Sequence, residues 1–189
     1  MTIQRQTLRT LDDLIASGAV DAAQGEALRP VVERFQVAVT PAMLGLMARD
    51  ESGAVAQGDA VAAQFLPDPR EAMVAPEELA DPIGDEAHRP LPGLIHRYAD
   101  RVLVQPTHVC AVYCRFCFRR ETVGPENGTL GEDQLRAIFA YIAQRPQIFE
   151  VILSGGDPLV LSPRRLRAMV DAIAAIEHVK VIRLHTRVP

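Results

Sequence analysis

From Arg101 onward the chain alternates short apolar runs with amphipathic segments, and this alternation restricts the fold more than any other feature. Arg101-Val-Leu-Val-Gln105 reads as a strand. Glu132 to Gln144 places Leu135, Ile138, Phe139 and Ile142 on one helical face. Val151-Ile-Leu153 is a second strand. Ser162-Pro163 caps a second helix, with Leu166, Met169, Val170, Ile173 and Ile176 turned inward, and Lys180-Val-Ile-Arg-Leu184 is a third strand. Strand–helix–strand–helix–strand predicts a parallel sheet with right-handed crossovers. Each predicted strand runs into residues suited to chemistry: the cysteine-rich loop, Ser154-Gly-Gly-Asp157, and His185-Thr-Arg187. That is where α/β barrels carry their active sites. Three strands cannot close a barrel, and the last would be an open edge, so the expected fold is the first part of a (βα) barrel belonging to a longer protein.

The residues before it differ in texture. Residues 1–65 read as a region of short helices: Leu11 to Ile15, Glu26 to Phe35, and a third begun by Thr40-Pro41 whose Ala42–Met47 run is core. Residues 66–93 hold Pro67, Pro69, Pro76, Pro82, Pro90 and Pro92, which break regular elements and predict an extended connecting arm. The barrel part then occupies 94–189.

Every cysteine of the chain lies in Cys110-Ala-Val-Tyr-Cys114-Arg-Phe-Cys117, three thiols spaced C-x3-C-x2-C. Three thiolates on so short a loop can hold one corner of an inorganic cluster, and a cubane that normally takes four would keep one iron open to another ligand. The competing reading is a structural zinc site with His108 as fourth ligand, in a zinc-stabilised module without catalysis. A disulfide framework fits an odd cysteine count poorly. Metal ligation by Cys110, Cys114 and Cys117 is thus expected either way. Gly155-Gly156-Asp157, between a strand and a helix, lets backbone approach a ligand closely; alone it is as compatible with a plain turn.

Charge is uneven. Residues 1–94 carry 7 arginines and no lysine against 15 acids, a net of −8; residues 95–189 carry 13 basic residues against 9 acids, a net of +4. A mildly basic half around a metal loop suits small anions such as carboxylates and phosphates, and is too weakly basic for nucleic acid. No apolar run is long enough for a membrane span, and Met1-Thr-Ile-Gln-Arg-Gln-Thr7 lacks a secretory pattern. The cytoplasm is the expected compartment.

Taken together, "HRYADRVL", "CAVYCRFCFRR", "VILSGGDPLVLS" and "HVKVIRLHTRVP" resemble the lysine 2,3-aminomutase family of radical S-adenosylmethionine (SAM) enzymes. The resemblance implies an isomerase that moves the α-amino group of L-lysine to the β-carbon. Its cofactors would be a [4Fe–4S] cluster, SAM and pyridoxal 5′-phosphate (PLP). It implies cluster ligation by Cys110, Cys114 and Cys117, and SAM contacts from Ser154, Gly155, Gly156 and Asp157. It further implies PLP-phosphate contacts from Arg97, Tyr98 and Arg101, and pairing of Arg119 with the substrate carboxylate. An electron donor such as flavodoxin or ferredoxin, and a homo-oligomeric full-length protein, are further implications.

Phe116 and Phe118 depart from the histidine and the small polar residue of well-known lysine aminomutases. "CFRR" also occurs in the branch that makes β-lysine for elongation factor P. The family's PLP lysine has no counterpart here, since the one lysine, Lys180, opens a predicted strand. The chain alone is therefore expected to bind a cluster and SAM and to be inactive in aminomutation.

Overall fold

The computed structural model describes residues 6–188; Met1–Arg5, part of the stretch read above for a leader, and Pro189 lie outside them. The chain divides into two compact units. One comprises Met1–Ala80 with Ala111–Glu121, the other Asp81–Cys110 with Thr122–Pro189. The arm expected as one connection is thus shared, its first part belonging to the N-terminal unit.

In the N-terminal unit, Thr10 starts helix α1 (Leu11–Ala16). Its hydroxyl accepts from the Asp13 amide at 3.1 Å, while the Asp13 carboxylate accepts from the amides of Arg9 and Thr10 at 2.9 and 3.0 Å. Helix α2 (Gly25–Arg34) buries Leu28 and Val31, and α3 (Pro41–Leu46) begins on the expected Thr40 cap, whose hydroxyl accepts from the Met43 amide. Leu44 and Met47 of the predicted core run are buried, whereas Leu46 faces solvent. A further turn, α4 (Ala62–Phe65), adds Phe65 to a core of Leu8, Leu14, Leu28, Val39 and Met47. In the arm, Asp68 caps a short helical turn, Pro69–Ala72, that includes Glu71.

The other unit holds, among the described residues, a four-stranded sheet in the order β1-β2-β3-β4. Strands β2 (Arg101–Thr107), β3 (Glu150–Gly155) and β4 (Val181–Leu184) are parallel, as the alternation predicts, with Val104 beside Leu153 and Leu153 beside Leu184. Helices α5 (Glu132–Ala143) and α6 (Pro163–Ala174) are the crossovers. Val102, Val104, Val151 and Leu153 pack with Ile138, Ile142, Met169 and Ile173 in one core. Pro106 stands where the β2–β3 register slips, a place that tolerates its missing N–H.

The three expected parallel strands are joined by a fourth that the alternation does not predict. Strand β1 (Leu94–Tyr98) runs antiparallel to β2, joined through Ala99 and Asp100, so the sheet is mixed and open. Only Leu94 and Ile95 of β1 are apolar before His96-Arg97-Tyr98, too short a run to show the two-residue period. The hairpin turn, not a hydrophobic pattern, makes this strand.

Candidate functional site

Two of the predicted motifs meet in the sheet-bearing unit. Thr107 ends β2, and its hydroxyl accepts from the Val109 amide at 3.1 Å, turning the chain toward Cys110. The amide of Gly156 donates to the Thr107 carbonyl at 2.7 Å, and that of Asp157 to the Val109 carbonyl at 2.9 Å. The stem of the cysteine loop and the glycine pair after β3 are thereby laced backbone to backbone. Gly155 has φ +106°, and a Cβ there would stand 2.6 Å from the Thr107 carbonyl oxygen; one on Gly156 would stand 2.3 Å from that of Val109. Both glycines are required by this approach. Ser154 is buried at the same strand end.

The Asp157 carboxylate is occupied inside the protein. It accepts from the Leu159 amide at 2.9 Å, the Thr186 hydroxyl at 2.7 and 2.8 Å, and the Arg187 amide at 2.8 Å. It clamps the end of β3 to the residues after β4, at a position where the resemblance implies a contact to SAM.

Past Cys110 the chain enters the other unit. Val112 and Cys114 pack against its core, and successive turns follow, the Cys117 amide donating to the Cys114 carbonyl at 3.1 Å and that of Arg120 to Cys117 at 3.2 Å. All three cysteines are half-buried thiols. Phe116 and Phe118 are exposed, and the Arg119 guanidinium lies 4.5 Å from the Phe118 ring centroid. Among the described residues no three His, Cys, Asp or Glu side chains form a ready-made metal pocket. The donor set nonetheless suits an iron–sulfur cluster: three half-buried thiols on one loop.

Arg97, Tyr98 and Arg101 stand apart from these motifs. They flank the β1–β2 turn, at the opposite end of seven-residue β2 from Cys110, about 20 Å away at ~3.3 Å per residue. Arg97 donates to the Ile83 carbonyl and lies 3.2 Å from the Asp85 carboxylate. Arg101 grips Asp100 through two bonds of 3.0 Å, which raise the arginine above its usual range and hold Asp100 below that of a carboxylate. It also pairs at 3.3 Å with Glu150, which is 1% exposed and bound from the other side by Arg183 at 2.6 Å. Tyr98 is exposed. Two guanidiniums and an open phenol at one turn are donors that fit a phosphate, although both cations already have carboxylate partners. Lys180 donates to the Glu177 carbonyl, before β4 begins.

A cleft of about 550 Å³ between α5 and α6 is lined by Leu135, Phe139, Met169, Arg136, Ser162, Arg164 and Arg165, and by none of the candidate cofactor-, metal- or substrate-binding residues. Sequence reasoning missed Glu71 and Arg115, which form a two-point ion pair. They are 44 residues apart, and no local pattern joins them. An arginine enclosed by two cysteines was the available sign.

Residues 104–188, from mid-β2 past β4, match the family model of the radical SAM superfamily. With the cysteine loop and the partial barrel, this makes the class of that part plain: residues 104–188 match a radical SAM domain, a class that implies a [4Fe–4S] cluster and SAM. Within it, the likeness is to the lysine 2,3-aminomutase family. The chain is 31% identical to the L-lysine 2,3-aminomutase of Clostridium subterminale over 185 residues, 98% of this chain and 43% of that protein. It is 34% identical to that of Bacillus subtilis over 183 residues, 97% and 38% respectively. With that of Escherichia coli it shares 37% over 131 residues, 69% and 38%. The chain thus spans about two fifths of the length of these curated relatives.

Proposed function

We propose that the protein is a lysine 2,3-aminomutase-like isomerase, moving the α-amino group of L-lysine to the β-carbon, and that this chain carries its cluster- and SAM-binding part. The observation that carries the reading is the lacing of Gly156 and Asp157 to Thr107 and Val109, which puts the glycine pair beside the stem of the cysteine loop. When bound, the cluster and SAM supply a 5′-deoxyadenosyl radical for hydrogen abstraction, and PLP a π-system over which nitrogen can migrate.

The chain's own share is binding and orientation. Cys110, Cys114 and Cys117 would hold three irons and leave the fourth for SAM. Ser154, Gly155 and Gly156 would contact SAM from the end of β3, while Asp157 fixes that backbone. Arg119 would take the substrate carboxylate in a fork-shaped contact, its stacking on Phe118 limiting its motion. Arg97, Tyr98 and Arg101 would hold the PLP phosphate.

"Cys-Phe-Arg-Arg" from Cys117 favours one second reading, the branch that makes β-lysine for elongation factor P. Product stereochemistry with free lysine separates the two. The cytoplasm as compartment, a small electron-transfer protein as donor and a homo-oligomeric whole enzyme are part of the same proposal. Among the described residues no helix is long and apolar enough to cross a membrane.

The test is anaerobic reconstitution with iron and sulfide, followed by EPR of the reduced protein with and without SAM. A [4Fe–4S]⁺ signal that changes on adding SAM supports the reading. Zinc at about one per chain with no iron uptake rejects it in favour of a binding module.

A further inference from the structure

Of the two side chains between Cys114 and Cys117, Phe116 is exposed while Arg115 points into the N-terminal unit. It is 8% exposed, and its partner Glu71 is 12% exposed. Nε and Nη2 donate to the two Glu71 oxygens at 3.0 and 2.7 Å, Nη1 donates to the Gln36 carbonyl at 2.9 Å, and the Arg115 amide donates to the Gln64 carbonyl at 2.8 Å. Glu71 is itself fixed, one oxygen accepting from the Asp68 amide at 3.0 Å. Arg120, three residues past Cys117, also reaches Glu71 at 3.8 Å and lies 4.3 Å from the ring centroid of Phe35. Cys117 is therefore bracketed by two arginines that converge on one largely enclosed carboxylate from the proline-rich arm.

We infer that Glu71 and Arg115 are positioning residues that hold the Cys114–Cys117 turn in the shape its thiolates need for the cluster, a role resting on the proposed cluster ligation. Ordering a free loop costs backbone entropy at every residue that is fixed. A two-point Arg–carboxylate contact fixes direction as well as distance, and the carbonyls of Gln36 and Gln64 leave residue 115 little freedom. The N-terminal helices and the arm thereby act on the metal loop rather than merely preceding it in the chain.

The test uses the reconstituted chain and two variants, Glu71→Gln and Arg115→Lys, with Arg29→Ala as control for loss of an exposed charge in the same unit. The readouts are iron per chain, the rate of iron release to excess chelator, and melting of the metal-free protein. Disturbing groups behind metal ligands commonly weakens metal binding about 10–100-fold. Release from both variants should accelerate by at least about tenfold, and from the control not at all. Should Glu71→Gln fail to fold, Arg115→Lys, which keeps the charge but loses the two-point contact, decides by the same rate. Wild-type release rates from folded, loaded variants overturn the inference, even where melting falls, because they leave the pair a purely structural role. No iron uptake by the wild-type chain overturns the cluster reading instead.

Discussion

Gly156 has no room for a side chain: three backbone atoms of His108 and Val109 lie within 2.7 Å of where its Cβ would be. Backbone cannot swing aside as a flexible side chain can, so Gly156→Ala should push the cysteine stem away from β3. Overpacking of this kind costs about 1–3 kcal/mol, which lowers the melting temperature by about 2–4 °C per kcal/mol in a chain of this size. The same variant should bind SAM more weakly, checked by titrating the EPR change. Asp157 makes a different prediction. Asp157→Ala removes the acceptor of the Leu159 and Arg187 amides, and leaves the Thr186 hydroxyl only the Val188 carbonyl. Asp157 is itself buried, and a hydrogen bond to a charged group is worth about 1.5–3 kcal/mol, so thermal melting should drop by several degrees even without SAM. If Asp157 served only a ligand's ammonium group, the metal-free protein would melt at the wild-type temperature. The glycine pair was legible in the sequence as a place of close approach, whereas the clamp was not, because it depends on where β4 ends beside β3.

At the scale of elements, the predicted parallel strands and their two crossover helices appear within a residue or two of their expected ends, since Leu135, Ile138 and Ile142, then Met169 and Ile173, write the helical period directly. Strand β1 and the sharing of the arm between units escaped, because they rest on a turn and on side-chain bonds between distant residues. Ile138 is fully buried at the centre of the crossover core; Ile138→Ala should cost about 2–5 kcal/mol, read from thermal melts. The caps give a pH dependence. Hydrogen bonding, chiefly from the Arg9 amide, holds Asp13 below its ordinary value of 3.8, and the Arg70 guanidinium holds Asp68 below the same value. Groups with a depressed folded pKa stabilise fully above the unfolded value and lose that contribution as pH falls through the folded one. Their contribution to the melting temperature should therefore be constant from about pH 7 to 5 and decline below about pH 4, less steeply in Asp13→Asn.

For the whole molecule, the question is how much of the proposed reaction these residues can support. Lysine occurs once, at Lys180, and its ammonium donates at 2.6 Å to the Glu177 carbonyl ahead of β4, at the sheet end away from the cysteine stem. The proposed phosphate donors Arg97, Tyr98 and Arg101 offer charge and a phenol, but no amine to bond PLP covalently. Hydrogen abstraction and PLP attachment should thus separate experimentally. The reconstituted chain, reduced with dithionite in the presence of SAM, should release 5′-deoxyadenosine, since that needs only the cluster loop and the backbone beside it. Incubated with PLP and then reduced with borohydride, the same chain should carry no pyridoxyl group on Lys180 by peptide mass mapping, and free L-lysine should be returned unchanged. A pyridoxyl group fixed on Lys180, or β-lysine formed at a steady rate, would show that this end of the sheet holds the cofactor covalently. The division of labour proposed between this chain and the rest of an aminomutase would then be wrong, while the cluster assignment would stand.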